Sequence, residues 1–226
     1  FSIYHSKYTD VDVDGVANWE RDPLKELSDA CKKHGLVFGV YYSHAQDWYE
    51  RYNVVNHWDF GNPIRNNWYR EDTPEVRQHK ENMERYYLDT KAIPQVKELI
   101  DNYGVEMVWF DTAIWMPLEL RLKVLKEIRA HKPDVVVNAR SVGMEKGNFG
   151  DYRGGADNTV TTPMHPQRYW ESILSTVHSW GYNPYDQQNR RAPSFMLKQL
   201  VTTVSKGGNL MINIGPKGDG TFPQAD

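Results

Sequence analysis

Three charged residues stand where a short apolar run stops. Asp111 follows Val108-Trp109-Phe110, Arg140 follows Val137-Asn138-Ala139, and Glu171 follows Tyr169-Trp170. A carboxylate after Val-Trp-Phe either caps the turn beyond a strand or does chemistry, and the local sequence leaves both open. Glu171 has a second reading too, as an acidic first-turn residue complementing a helix dipole. An arginine at a strand end usually pairs with a carboxylate, to steady structure or to keep a site acid ionised. Together the three fit one chemistry. Glycoside hydrolysis needs one ionised and one protonated carboxyl flanking the scissile bond, about 5–5.5 Å apart when configuration is retained. Asp111 and Glu171 are distant in sequence, but strand ends in a barrel converge.

The aromatic content points the same way. Of 226 residues 13% are aromatic, with eight Trp and fourteen Tyr. Many rings lie beside polar groups, as in Gln46-Asp47-Trp48-Tyr49, Asn67-Trp68-Tyr69 and Ser179-Trp180-Gly181-Tyr182-Asn183. Pyranose C–H faces stack on indole and phenol rings, and such mixtures suit a polar cleft better than a dry core. Other classes are disfavoured. A net charge of -3 with no basic stripe gives no reason to expect nucleic acid. No apolar run approaches a membrane span, and mean hydropathy is -0.72. The single cysteine, Cys31, rules out an internal disulfide and a Cys-based zinc site and reads as a buried structural thiol. The eight His show no metal-ligand spacing, so neither metal nor cofactor is expected. The chain opens on Phe, with no signal peptide in view, and the compartment stays open.

The elements that must place these residues alternate between short β-rich runs and helical stretches. Strands are expected over 37–43, 105–111, 135–140 and 209–214, and helices over 23–34, 73–103 with a break near Pro94, 118–131, 170–179 and 194–205. The strands are near-continuous apolar runs separated by helices, which means parallel α/β with both sheet faces covered. No glycine-rich phosphate loop opens a helix, and the polar residues gather at the C-terminal ends of strands. That pattern favours a (β/α)8-type barrel over a doubly wound sheet. The long aperiodic stretches 47–72 and 141–167 read as loops rising from the catalytic face.

These segments resemble the α-L-fucosidases of glycoside hydrolase family 29. Ser6-Lys7-Tyr8-Thr9-Asp10 is similar to the family's SKYTD segment, and Arg21-Asp22 with Lys33-His34-Gly35-Leu36 running into Phe38-Gly39-Val40-Tyr41-Tyr42-Ser43 to its RD…KHGLKFGVYYS stretch. Trp109-Phe110-Asp111 matches the nucleophile strand, Val137-Asn138-Ala139-Arg140 the VNxR strand, and Trp170-Glu171 with 179–183 the WE…SWGYN stretch. The longest match runs from Val204-Ser205-Lys206-Gly207-Gly208-Asn209-Leu210 through Gly215-Pro216-Lys217 to Asp219-Gly220. The resemblance implies a retaining hydrolase of α-L-fucosides on fucosylated glycans, with Asp111 as nucleophile and Tyr41, Trp109, Arg140 and Trp180 lining the sugar pocket. It places the acid/base on Glu171, with Asp157 the alternative and Glu145 a third, because no Glu follows Gly150-Asp151-Tyr152 at the family's usual place. An impaired fucose-binding barrel is the competing implication.

Against the family pattern, the HHDG segment before the residue matching Phe1 and the C-terminal β-sandwich have no counterpart here. Residues 1–226 therefore read as one catalytic barrel domain without its first strands. Open parallel edges then predict homo-oligomers in which copies complete one another. His5, His44 and His57 are candidates to replace the missing histidines, although each reads better as an ordinary loop or surface His.

Overall fold

Helices start where side chains cap them. In the computed structural model, which describes residues 2–47, 49–50, 73–113, 116–143, 149–160 and 169–223, Asp12 accepts the amides of Asp14 and Gly15 to open α1 (Val13–Ala17). Asp22 accepts the Lys25 amide to open α2 (Pro23–Lys33), and Thr73 that of Val76 to open α3 (Pro74–Tyr87). Each cap satisfies an amide that has no partner in the first turn, where proline's missing N–H costs nothing. The break near Pro94 is a π turn, Leu88–Ala92, through which α3 passes into α4 (Ile93–Tyr103). A proline inside a helix removes one hydrogen bond, and the wider π turn absorbs the resulting shift in register. Then come α5 (Leu118–His131) and α6 (Pro193–Ser205).

The described chain forms two compact units, Phe1–Gly150 and Asp151–Asp226. In the first, β1 (Gly39–Tyr42), β2 (Met107–Phe110) and β3 (Val136–Val137) pair in parallel in the order 1-2-3. In the second, β4 (Arg153–Gly154), β5 (Trp170–Ser175) and β6 (Asn209–Asn213) pair in parallel in the order 4-5-6. Helices connect β1 to β2, β2 to β3 and β5 to β6. Both orders are sequential, without the reversal that marks a doubly wound sheet. The core of the first unit is built from Val108, Phe110 and Val137 of the sheet with Val96, Leu120 and Ile128 of the helices, all at most 1% exposed. Cys31 packs against it, half-buried.

The structure corrects three readings. The helix expected over 170–179 is strand β5, and all six of its residues are buried. The run Trp170-Glu171-Ser172-Ile173-Leu174-Ser175 mixes polar and apolar residues that are all buried, so no period-2 alternation marks it as a strand. The stretch read as a loop from 141 to 167 contains β4, too short at two residues to leave a pattern. The strand expected to reach Arg140 ends at Val137, because residues Ala139–Ser141 wind into a 3-10 turn. In the second unit Gly208 has a steric duty, since a Cβ there would lie 2.5 Å from the Trp170 indole.

Candidate active site

Parallel pairing brings three strand ends to one place. Tyr41 of β1 stands in register with Trp109 of β2, and the Asp111 amide donates to the Tyr42 carbonyl at 3.2 Å, extending the ladder one step. The Asp111 carboxylate is held at both oxygens. The Tyr41 hydroxyl donates to Oδ2 at 3.0 Å, and Arg140 Nη1 donates to Oδ1 at 3.0 Å. Desolvation around the phenol, and then the charge of Asp111, push the Tyr41 hydroxyl above its ordinary value, so it stays a donor. Trp109, 6% exposed, underlies this pair. The Tyr41 ring stacks on it with centroids 5.6 Å apart and 21° between planes. The Arg140 guanidinium lies over the indole at 4.8 Å. The two charged side chains keep limited access to solvent, 13% for Arg140 and 23% for Asp111. The arrangement sets a partly accessible carboxylate beside a stacked Tyr41–Trp109 pair.

Beneath it, side chains brace the strand ends. Thr112 Oγ1 donates to the Asp111 carbonyl at 2.7 Å and lies 2.6 Å from Ser43 Oγ. Its φ of +64° is the left-handed region, which a β-branched residue enters at a cost of about 1–3 kcal/mol. Asn138 accepts from the Phe110 amide and donates to the Phe110 carbonyl, both at 2.9 Å. His44 Nε2 lies 3.0 Å from the Ser141 carbonyl, which only accepts, so that nitrogen carries the proton. The imidazole also meets the Phe110 ring edge-on at 4.8 Å. His44 lies in the turn after β1, as a loop residue, but is fully buried there and not at the surface. The cause is apolar packing that its neighbours in sequence do not announce. His5 is exposed, and His57 lies outside the described residues.

Burial is the main force pulling His44 down to about 4, with the nearby Arg121 charge adding to it against the Ser141 hydrogen bond. The unfolded chain therefore takes up this proton first. The stability involved is complete above the ordinary value near 6.5, falls as pH drops from about 6.5 to about 4, and is level below, amounting to on the order of 3 kcal/mol. His44→Gln keeps a donor for Ser141 and removes the titration. The urea midpoint of this variant should fall less steeply than that of the wild type between pH 7 and 4.5. An identical slope would show that His44 does not titrate in this way.

In the second unit, Glu171 is the second residue of β5, paired with Gly154 and Asn209 and 7% exposed. Because β5 runs on to Ser175, Glu171 sits about 13 Å before the strand's C-terminal end at the usual rise per residue. Asp157 is exposed in the turn after β4. That turn lies along the C-terminal half of β5, since Asn158 Oδ1 accepts the Ser175 amide at 2.9 Å and Thr159 bridges to Ile173. Trp180, 43% exposed, follows the end of β5. Asn213 Nδ2 donates to its carbonyl at 2.6 Å and to Ser175 Oγ at 3.1 Å, while Ser175 Oγ donates to the Ser179 carbonyl at 2.9 Å. Asn213 and Ser175 thus fix the loop that carries the indole. Glu145 lies outside the described residues. Among the described residues no group of three or more His, Cys, Asp or Glu is placed to hold a metal, and no helix is long and apolar enough to cross a membrane.

The structure thus joins Tyr41, Trp109, Asp111 and Arg140 as one cluster. The sequence reading missed the roles of Asn138, Thr112, His44, Ser175 and Asn213. Polar residues at strand ends were the visible trace of Asn138 and Asn213, whereas Ser175 fell within the stretch read as a helix.

Comparison with known proteins adds to this geometry. The family described as Alpha-L-fucosidase matches residues 1–226. An alpha-L-fucosidase of Dictyostelium discoideum is 26% identical over 236 residues, covering 98% of this chain and 46% of that protein. The crystal structure of alpha-L-fucosidase from Vibrio sp. strain EJY3 superposes with a TM-score of 0.80 and 31% identity, covering all of this chain and 37% of that one. Alpha-L-fucosidase AlfC from Lactobacillus casei, in complex with its alpha-L-fucose product, superposes with a TM-score of 0.78 and 28% identity, covering 99% of this chain and 67% of that one. The chain spans less than half the length of the Dictyostelium relative.

Proposed function

The chain belongs to the α-L-fucosidase family, and on that premise we propose that it carries the chemistry of a retaining α-L-fucosidase with Asp111 as nucleophile. The observation that carries this reading is the carboxylate of Asp111, just past the end of β2, held at both oxygens by Tyr41 and Arg140. In the first step an Asp111 oxygen attacks the anomeric carbon of a terminal α-L-fucoside. The bond to the leaving oxygen breaks, that oxygen takes a proton from the acid, and a β-fucosyl ester remains. In the second step the same acid, now a base, takes a proton from water. The water oxygen attacks the anomeric carbon, the ester bond breaks, and α-L-fucose departs. Arg140 and Tyr41 draw charge from the Asp111 carboxylate. They therefore temper its attack and help it leave in the second step, while keeping its direction fixed.

For the acid/base the polarity of the strands favours Asp157. Barrel enzymes place chemistry at the C-terminal ends of strands, and Tyr41, Asp111 and Arg140 lie at such ends in their own sheet. In the second sheet Asp157 and Trp180 follow strands at that end, whereas Glu171 lies at the start of β5. Trp180 would offer its indole to the apolar C6 methyl of fucose. The reading includes a (β/α)8-type barrel, supported by the sequential parallel order of both sheets.

The test is the anomer first released. Proton NMR of an α-L-fucoside digest should show α-L-fucose before mutarotation. Release of β-L-fucose would mean inversion and would remove Asp111 from the nucleophile's role.

A further inference from the structure

The contact between Asp111 and Arg140 spans a gap in the sheet. Backbone pairing of β2 with β3 ends at Val108 and Val137, and the interacting side chains belong to residues three further along each chain. Beyond Val137 the backbone turns away into the 3-10 turn Ala139–Ser141, so the ladder cannot fix the distance between them. Asn138 supplies what the ladder lacks. Its side-chain amide carries the same donor and acceptor as a peptide group, and it bonds both the N–H and the C=O of Phe110 at 2.9 Å. Phe110 immediately precedes Asp111, and Asn138 lies two residues before Arg140.

Asn138 has little freedom to move. It is fully buried, and Gly150 presses on its backbone, where a Cβ on that glycine would lie 2.7 Å from the Asn138 carbonyl. Gly150 has a φ of +101°, so both conformation and space require glycine there. We infer that Asn138 is a positioning residue, acting as a side-chain rung that sets the Asp111 carboxylate against the Arg140 guanidinium. The inference rests on the proposed role of Asp111.

The experiment is a double-mutant cycle with 4-nitrophenyl α-L-fucoside as substrate and thermal melts in parallel. Asn138→Ala should lower kcat about 10²-fold with KM changed less than about 3-fold, as expected when a reacting group is misplaced by about 1 Å. In an Arg140→Ala background the same substitution should cost less than about 3-fold more, because the contact it serves is already gone. Asn138→Asp keeps the acceptor for Phe110 N–H and loses the donor. It should fall between wild type and Asn138→Ala, and it serves if the alanine variant does not fold. A full further loss in the double variant, or wild-type kcat in Asn138→Asp, would overturn the positioning role. So would a loss of activity that merely tracks the folded fraction. If Asp111→Ala itself retained wild-type kcat, it would be the functional reading that had failed.

Discussion

Asp111→Ala should lower kcat for 4-nitrophenyl α-L-fucoside by about 10⁴-fold, a rise in barrier of about 5.5 kcal/mol. Sodium azide should restore part of that rate and yield β-L-fucosyl azide. Truncation at Cβ removes both carboxylate oxygens and leaves a space faced by the Tyr41 hydroxyl and the Arg140 guanidinium. A small anion can occupy that space and attack from the face the carboxylate used. The leaving group is then displaced with a single inversion, which is why the azide product has the β configuration. The substitution leaves the acid/base residue untouched. The fold should survive, because the Asp111 side chain is partly exposed and Asn138, Ser43 and Thr112 still brace the strand end. Loss of turnover without azide rescue, in a protein that still binds fucose, would favour the impaired fucose-binding barrel. Retained turnover would move the nucleophile elsewhere.

How much of this was legible in the sequence depends on whether a residue acts through its own strand or across strands. The apolar, β-branched and aromatic runs around Val40 and Val108 announce β1 and β2, and Asp111 is conspicuous as the first charge after Phe110. Trp170–Ser175 failed because its six residues are all buried yet of mixed polarity, which leaves no period to read. Its misreading as a helix also gave Glu171 a first-turn position it does not occupy. The bracing residues fail differently. Asn138 acts on Phe110 across 28 residues and His44 on Ser141 across 97, and no local pattern encodes a partner so far away. Thr112 adopts a left-handed φ that its residue type argues against. Its conformation follows from the hydroxyl contacts with Ser43 and Asp111, not from propensity.

The acid/base assignment yields the other large effect, and two substitutions separate its alternatives. Asp157→Asn should lower kcat/KM for an unactivated fucosyl disaccharide by about 10²–10⁴-fold, the usual worth of general acid catalysis. For 4-nitrophenyl α-L-fucoside the loss should be far smaller, because 4-nitrophenolate departs without a proton. Azide should then accelerate turnover and give α-L-fucosyl azide, since it intercepts the fucosyl ester from the face that water would use. The opposite anomers from the two azide experiments thus distinguish nucleophile from acid/base without reference to any distance. Glu171→Gln should keep kcat within about 3-fold and instead lower stability by about 1–3 kcal/mol, the cost of disturbing the hydrogen bonding of a buried polar group. If Glu171→Gln produced the leaving-group dependence and the α-azide while Asp157→Asn did neither, the acid/base would be Glu171. The rule that chemistry gathers at the C-terminal ends of strands would then fail for the second sheet. With Asp111 established independently, that outcome would leave the nucleophile in place and change only the proton's route, because Asp111 is held by Tyr41 and Arg140 from its own sheet and not by either acid.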